Sequence, residues 1–209
     1  MILTVEFVTT STVKIFCDGE YLLTADCDFW LSYSYGGDVD MNNEELAAFI
    51  EAAGSRFAFN KAMNILSRRD YCAKELVKKL CEKNIERSYA QSAVEKLEEM
   101  GYINDEIYAN RLAEQMYNSK GYSPKKIRYE LVSKGISDEI AQNAVSLLDK
   151  DTVLRIIELL RTKYKKNLND EKGVRRTFAA LARAGYSYSD VRTAFNRAGA
   201  EIETEDYDV

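Results

Sequence analysis

The residues of this chain best suited to chemistry are cationic, and they recur at corresponding places. Arg68 and Arg69 precede one amphipathic segment; Lys125, Lys126 and Arg128 lie in the first turns of a second; Lys172, Arg175 and Arg176 do so in a third, beside Lys163, Lys165 and Lys166. Guanidinium and ammonium groups hold phosphate or carboxylate oxygens. The pattern therefore predicts a surface for an anionic partner, either phosphates bound in a salt-dependent way or carboxylates on another protein. Any one exposed Lys or Arg reads equally well as a solvated helix face, so it is the recurrence that singles out the set. Tyr71, Tyr102 and Tyr122 each sit beside a predicted turn. A tyrosine there stacks on a base or, more commonly, lays its ring on the neighbouring helix with the hydroxyl in water.

Catalysis finds no comparable constellation. The chain contains no histidine, which removes the commonest general base and zinc ligand. Neither a GxxxxGK[ST] nor a GxGxxG stretch is present to cradle a phosphate. Cys17, Cys27, Cys72 and Cys81 lack CxxC spacing and read as packed, reduced thiols. Most Asp and Glu residues alternate with Lys and Arg on helix faces, the pattern of solvated ion pairs. The reading is a binding protein and not an enzyme, with no metal and no cofactor.

The elements that must position the cations repeat along the chain. Align Ile85, Ile136 and Tyr186: the residue before each is Asn84, Gly135 or Gly185, types that tolerate the left-handed conformation past a helix end. Five residues earlier stand Leu80, Leu131 and Leu181; five later, Ala90, Ala141 and Val191; nine later, Val94, Val145 and Phe195. Spacings of 51 and then 50 residues are those of a repeat array. The expected fold is mainly α: three tandem three-helix repeats forming an elongated, curved array, over 56–103, 104–150 and 151–199. Three helices of about 12 residues, each about 18 Å long, enclose too small a core to stand without neighbours.

Before the repeats, residues 1–55 predict a small β-hairpin or three-stranded sheet plus a short helix. Leu3, Val5 and Phe7 alternate, and Asp18-Gly19 between β-prone runs is a type I′ hairpin signal. Trp30, Tyr33 and Tyr35 are expected to cover one face, with Gly36-Gly37 ending it. Asn42 to Glu45 forms a capping box ahead of Leu46, Phe49, Ile50 and Ala53, and Gly54-Ser55 marks the expected boundary with the repeats. Further on, Ser88 with Gln91 reads as another capping box. Ser123-Pro124 reads as a cap followed by the chain's only proline at the first helical position.

Charge is segregated along the same divisions. Net charge is −5 and the pI about 5.1, yet residues 57–200 carry 27 basic and 19 acidic residues. Residues 1–56 carry two basic and ten acidic residues, and 201–209 have five acids and no base. A basic middle lies between acidic ends. Residues 200–209 are expected to be a disordered acidic tail. No apolar run approaches the roughly 20 residues of a membrane span, and the N-terminus lacks the pattern of a signal peptide, so a cytoplasmic monomer is expected.

These residues resemble the bacterial recombination regulator family RecX. The likeness is carried by Leu66-Ser67-Arg68-Arg69-Asp70-Tyr71 with Glu75-Leu76 and Lys79-Leu80. It continues in Gly101-Tyr102-Ile103-Asn104-Asp105-Glu106 with Tyr108-Ala109, and in Ile127-Arg128-Tyr129-Glu130-Leu131 with Lys134-Gly135-Ile136. It covers residues 57–150, and the third repeat agrees with a three-repeat member. Cys72 departs from it, standing where such proteins often have a hydroxyl residue that caps the following helix. The resemblance implies a negative modulator of RecA, the recombinase that forms ATP-driven filaments on single-stranded DNA. Such a protein binds the filament groove or its growing end and limits extension, ATP hydrolysis, strand exchange and SOS co-protease activity. The competing reading is a helical module that binds nucleic acid directly through a basic stripe, and weak binding to single- or double-stranded DNA is compatible with both.

Overall fold

A computed structural model describes residues 1–34, 37–148 and 151–199; the expectations for Tyr35, Gly36 and the acidic tail lie outside the described residues. The protein is a mainly helical array with an N-terminal β-sheet, and it forms two compact units, Met1–Asn104 and Asp105–Val209.

The first unit opens with strands β1 (Ile2–Phe7), β2 (Thr12–Cys17) and β3 (Glu20–Asp26), then helix α1 (Cys27–Ser34) and a short strand β4 (Val39–Asp40). The sheet order is β3-β2-β1-β4, antiparallel throughout. Asp18 and Gly19 both take positive φ, 48° and 87°, as a two-residue type I′ turn requires. Leu3, Val13, Ile15 and Ala25 are buried on the face that meets Trp30 and Phe49. The sequence reading had neither α1 nor β4. Asp40 is held from the other end of the chain, where the Met1 ammonium donates to its Oδ1 at 3.1 Å. Trp30 packs edge-on to Phe49, ring centroids 6.2 Å apart.

The first helix after the sheet corrects an expectation. Asn42 and Glu45 do form the reciprocal capping box, but α2 then runs unbroken from Asn43 to Leu66. The break expected at Gly54-Ser55 is absent. Gly54 is there because Tyr89 crosses the helix at that point: a Cβ would lie 2.5 to 2.8 Å from three of its ring carbons. The glycine permits close approach, which outweighs the roughly 1 kcal/mol that Gly costs inside a helix. Helices α3 (Ala73–Cys81) and α4 (Arg87–Glu99) pack with the second half of α2 around Ala58, Ala62, Leu76, Leu80, Ala90, Val94 and Leu97. Ser88 is not a cap. Helix α4 begins one residue earlier, with Glu86 in the capping position, and the Ser88 hydroxyl donates to the Glu86 carboxylate at 2.9 Å. Cys72 takes the capping position of α3 with no side-chain cap bond, and it is fully buried.

The second unit holds α5 (Asp105–Gln115), α6 (Pro124–Lys134), α7 (Asp138–Ser146), α8 (Thr152–Arg161), α9 (Glu171–Arg183) and α10 (Tyr188–Arg197). Helix α5 does not end simply: Met116–Lys120 forms a π-helical turn, and Gly121, φ 72°, reverses the chain. Ser123 accepts from the Lys126 amide and Pro124 opens α6, as the Ser-Pro pair predicts. Asn84, Gly135 and Gly185 have φ of 61°, 107° and 91°, so each ends its helix in the left-handed region. Leu80, Leu131, Leu181, Ala90, Ala141, Val191, Val94, Val145 and Phe195 are all buried. The aligned positions therefore play the same part each time.

Candidate partner-binding surface

The predicted cations fall into two chemical states. In the first unit, Arg69 donates to Glu75 at 3.0 Å and lies 3.8 Å above the centroid of the Tyr71 ring. Arg68 beside it is exposed, with no ion pair among the described residues. In the second unit, Arg128 grips Asp138 with two bonds of 2.9 and 2.6 Å, and that bond holds the Asp138 carboxyl below the usual carboxylate range. Arg175 pairs with Glu171, and Lys126 pairs with Glu130 at 2.9 Å. Lys163 donates to the Lys120 carbonyl at 2.6 Å, satisfying an acceptor at the end of the π turn. Lys125, Lys165, Lys166, Lys172 and Arg176 are exposed and carry no ion pair among the described residues.

Local sequence accounts for part of this sorting. Lys126 and Arg175 pair with a carboxylate one helical turn away, whereas Arg69 reaches Glu75, six positions on, and Arg128 reaches Asp138 at the first position of the next helix. Most of the unpaired ones sit where the chain turns or a helix starts: Arg68 ahead of α3, Lys125 in the first turn of α6, Lys165 and Lys166 on the 3-10 turn Lys165–Asn167, Lys172 in the first turn of α9; Arg176 lies inside α9. Like charges there are not offset, so these groups are available to an external anion. The surface-exposed pairs are worth little individually, and an arriving phosphate competes with them at modest cost.

One part of the second unit brings cations together with an aromatic ring and a concavity. Lys125, Lys126 and Tyr129 on α6 face Ala182, Gly185, Tyr186 and Ser187 from the α9–α10 connection across an open groove of about 520 Å³. It exists because the first turn of α6 docks on the end of α9. Ser123 N donates to the Ala184 carbonyl at 2.9 Å, and a Cβ on Gly185 would lie 2.5 Å from Ser123 Oγ and 2.7 Å from Lys126 Cβ. Tyr129 is 66% exposed, with the Lys126 ammonium 5.0 Å from its ring centroid.

Sequence reasoning passed over Tyr129 and Arg155 as site residues. The signal for Tyr129 was an aromatic two residues from both buried Ile127 and Leu131, hence off the apolar face. Arg155 is only 9% exposed. It donates from Nη2 to the Tyr117 carbonyl at 2.6 Å and from Nη1 to Glu158 at 2.5 Å, with its guanidinium 4.2 Å from the Tyr117 ring centroid. Its signal was a place four residues before buried Leu159. Tyr186 joins the same cluster, and burial above all pushes its hydroxyl up to about 12. Of the turn tyrosines, Tyr71 and Tyr122 pack against helical cores, whereas Tyr102 is largely exposed.

The four cysteines are free thiols, Cys27 and Cys72 buried. Among the described residues no group of His, Cys, Asp and Glu is arranged to hold a metal, and no helix is long and apolar enough to cross a membrane. Exposed cations on a framework of small helical cores are the chemistry of proteins that work by binding.

Comparison with known proteins specifies which. Residues 58–97 match the first three-helix domain of RecX, and residues 104–145 match its second three-helix domain. The regulatory protein RecX of Clostridium perfringens is 30% identical over 183 residues, 84% of each chain. That of Caldanaerobacter subterraneus subsp. tengcongensis is 26% identical over 187 residues, 90% of this chain and 93% of the relative. The crystal structure of RecX from Lactobacillus salivarius superposes with a TM-score of 0.60 at 28% identity, covering 71% of this chain and 98% of that one. The chain belongs to the RecX family of regulatory proteins.

Proposed function

We propose that this protein is a negative modulator of RecA. It binds the RecA filament on single-stranded DNA and thereby limits filament extension, ATP hydrolysis, strand exchange and SOS co-protease activity. The observation that carries this reading is family membership over most of the chain, shared with relatives named as regulatory proteins. The physical chemistry agrees: unpaired cations at helix starts suit an extended anionic partner, whether acidic protein surface or phosphate. In this reading residues 56–103, 104–150 and 151–199 are three tandem three-helix units in a curved array, a form with length to reach successive filament protomers. The protein acts as a cytoplasmic monomer.

The test is RecA's single-stranded-DNA-dependent ATP hydrolysis, with cognate RecA and this protein added below stoichiometry to preformed and to growing filaments. Suppression at ratios well below one per protomer is expected. Absence of suppression at matched salt, with binding to bare DNA alone, overturns the reading. Reversing Arg68, Lys125, Lys165, Lys166, Lys172 and Arg176 together, with circular dichroism unchanged, is expected to weaken filament binding.

A further inference from the structure

We infer that the groove between α6 and the α9–α10 connection is a subsite for one nucleotide of single-stranded nucleic acid, with Tyr129 as the platform for its base and Lys125 and Lys126 as phosphate contacts. The inference deepens the proposed function and rests on its assignment of an anionic partner, but its test is independent of RecA. It starts from an exposed ring that folding does not require. Tyr129 stands 66% exposed on the outer side of α6, opposite buried Ile127 and Leu131. A tyrosine in that position contributes little to the core.

The ring's neighbours decide what fits it. Lys125 is exposed on the same helix, and the Lys126 ammonium lies 5.0 Å from the ring centroid, held there by Glu130 at 2.9 Å. Lysines beside an exposed ring, one face of which carries the Lys126 ammonium, suit a polynucleotide, because phosphates and bases alternate along it and a base can stack on the other face. An acidic peptide would use the lysines alone, since the negative face of the ring repels a carboxylate but accepts the π-face of a base. A duplex also fits poorly, because its bases are already stacked on each other. The wall opposite is Ala182, Gly185 and Ser187, small residues, together with Tyr186, whose side chain is mostly buried. That leaves a groove of about 520 Å³ open beside the ring, room for a base and its sugar.

Glu130 supplies a signed control. It is the carboxylate that occupies Lys126 in the free protein, so a phosphate must displace it. Glu130→Gln releases the ammonium and is expected to tighten binding.

The experiment is fluorescence anisotropy of a labelled dT15 strand with the full chain, at several salt concentrations, beside the same strand with abasic sites replacing every thymine. Tyr129→Leu is expected to weaken dT15 binding about 5- to 150-fold, the range for loss of one stacked base. Tyr129→Phe is expected to stay within about twofold. Replacing Lys125 and Lys126 by Gln is expected to flatten the salt dependence by about 0.7 per lost phosphate contact. The abasic strand is expected not to distinguish Tyr129→Leu from the wild type. Unchanged dT15 affinity in Tyr129→Leu overturns the subsite, and so does an equal loss on the abasic strand, which would mean the ring serves only to place the lysines. Release of dT15 by a poly-glutamate competitor equally from wild type and Tyr129→Leu overturns it in favour of an acidic peptide. Circular dichroism confirms that each variant is folded. Failure of RecA suppression by the wild type would count against the proposed function alone, since dT15 binding is read without RecA.

Discussion

Replacing Arg155 by Ala is expected to destabilise the protein by about 3 kcal/mol, because its buried guanidinium ties α8 to the π turn. A hydrogen bond from a charged donor contributes about 1.5–3 kcal/mol, and the one to the Tyr117 carbonyl, at 2.6 Å, is buried. The guanidinium over the Tyr117 ring, 4.2 Å from its centroid, adds about 1 kcal/mol in a partly desolvated setting. The pair with Glu158 adds little, because that carboxylate is largely exposed. The Tyr117 carbonyl left without this donor in the variant adds a further ~1–3 kcal/mol, and the desolvation cost that disappears with the cation offsets a similar amount, leaving about 3 kcal/mol. For a chain of 209 residues that lowers Tm by about 6–12 °C if the whole chain unfolds together. Urea denaturation followed by circular dichroism measures it. Two comparisons sharpen the reasoning: Glu158→Gln should cost less than about 1 kcal/mol, and the Arg155→Ala loss should persist at high salt, since a buried interaction is weakly screened. A loss below about 1 kcal/mol, or one that disappears in salt, would refute the account of Arg155 as the residue that satisfies the π turn.

Other consequences follow from neighbouring geometry. Gly173→Ala should destabilise by about 1–3 kcal/mol, despite the better helix propensity of alanine, because a Cβ there falls on the Asn167 carbonyl of the 3-10 turn; a rise in stability in urea would show that the turn is free to move aside. Tyr186 has a folded-state value of about 12 against an ordinary value near 10. Its buried neutral form therefore contributes stability that is complete below pH 10 and is lost as pH rises from 10 to 12, by as much as about 2 kcal/mol. The stability of the wild type relative to Tyr186→Phe should fall over that window, and a constant difference would mean that the hydroxyl ionises as freely in the fold as out of it. Lys125→Glu should weaken partner binding more than Arg128→Glu once each variant's stability is accounted for, because Arg128 is already committed to Asp138; the reverse order in a filament-binding assay would show that Arg128 releases Asp138 for the partner.

The helical framework was legible because its signals are local. The left-handed residues Asn84, Gly135 and Gly185, the Ser123-Pro124 start and the Asp18-Gly19 turn each act within a few residues, through backbone sterics or a capping bond. Apolar spacing then assigned Leu80, Leu131 and Leu181 to cores in which they are fully buried. The cationic helix starts were legible for the same reason, as residue types at repeated offsets. What the sequence left undecided involves residues far apart in the chain. Gly54 reads as a breaker until Tyr89 is seen against it, 35 positions later. Arg155 reads as a solvated cation until the Tyr117 carbonyl, 38 positions earlier, is found to accept from it. Arg128 and Lys125 look alike on α6, and only the placement of Asp138 at the start of α7 separates an occupied cation from an available one. Local sterics and periodicity are written in adjacent residues, so the sequence alone determined most of the repeat helices and their buried faces, though not α1, β4 or the unbroken run of α2. Which glycine is a contact, which arginine is buried and which cation is free depend on what packs across from them, and the tertiary structure alone decides that.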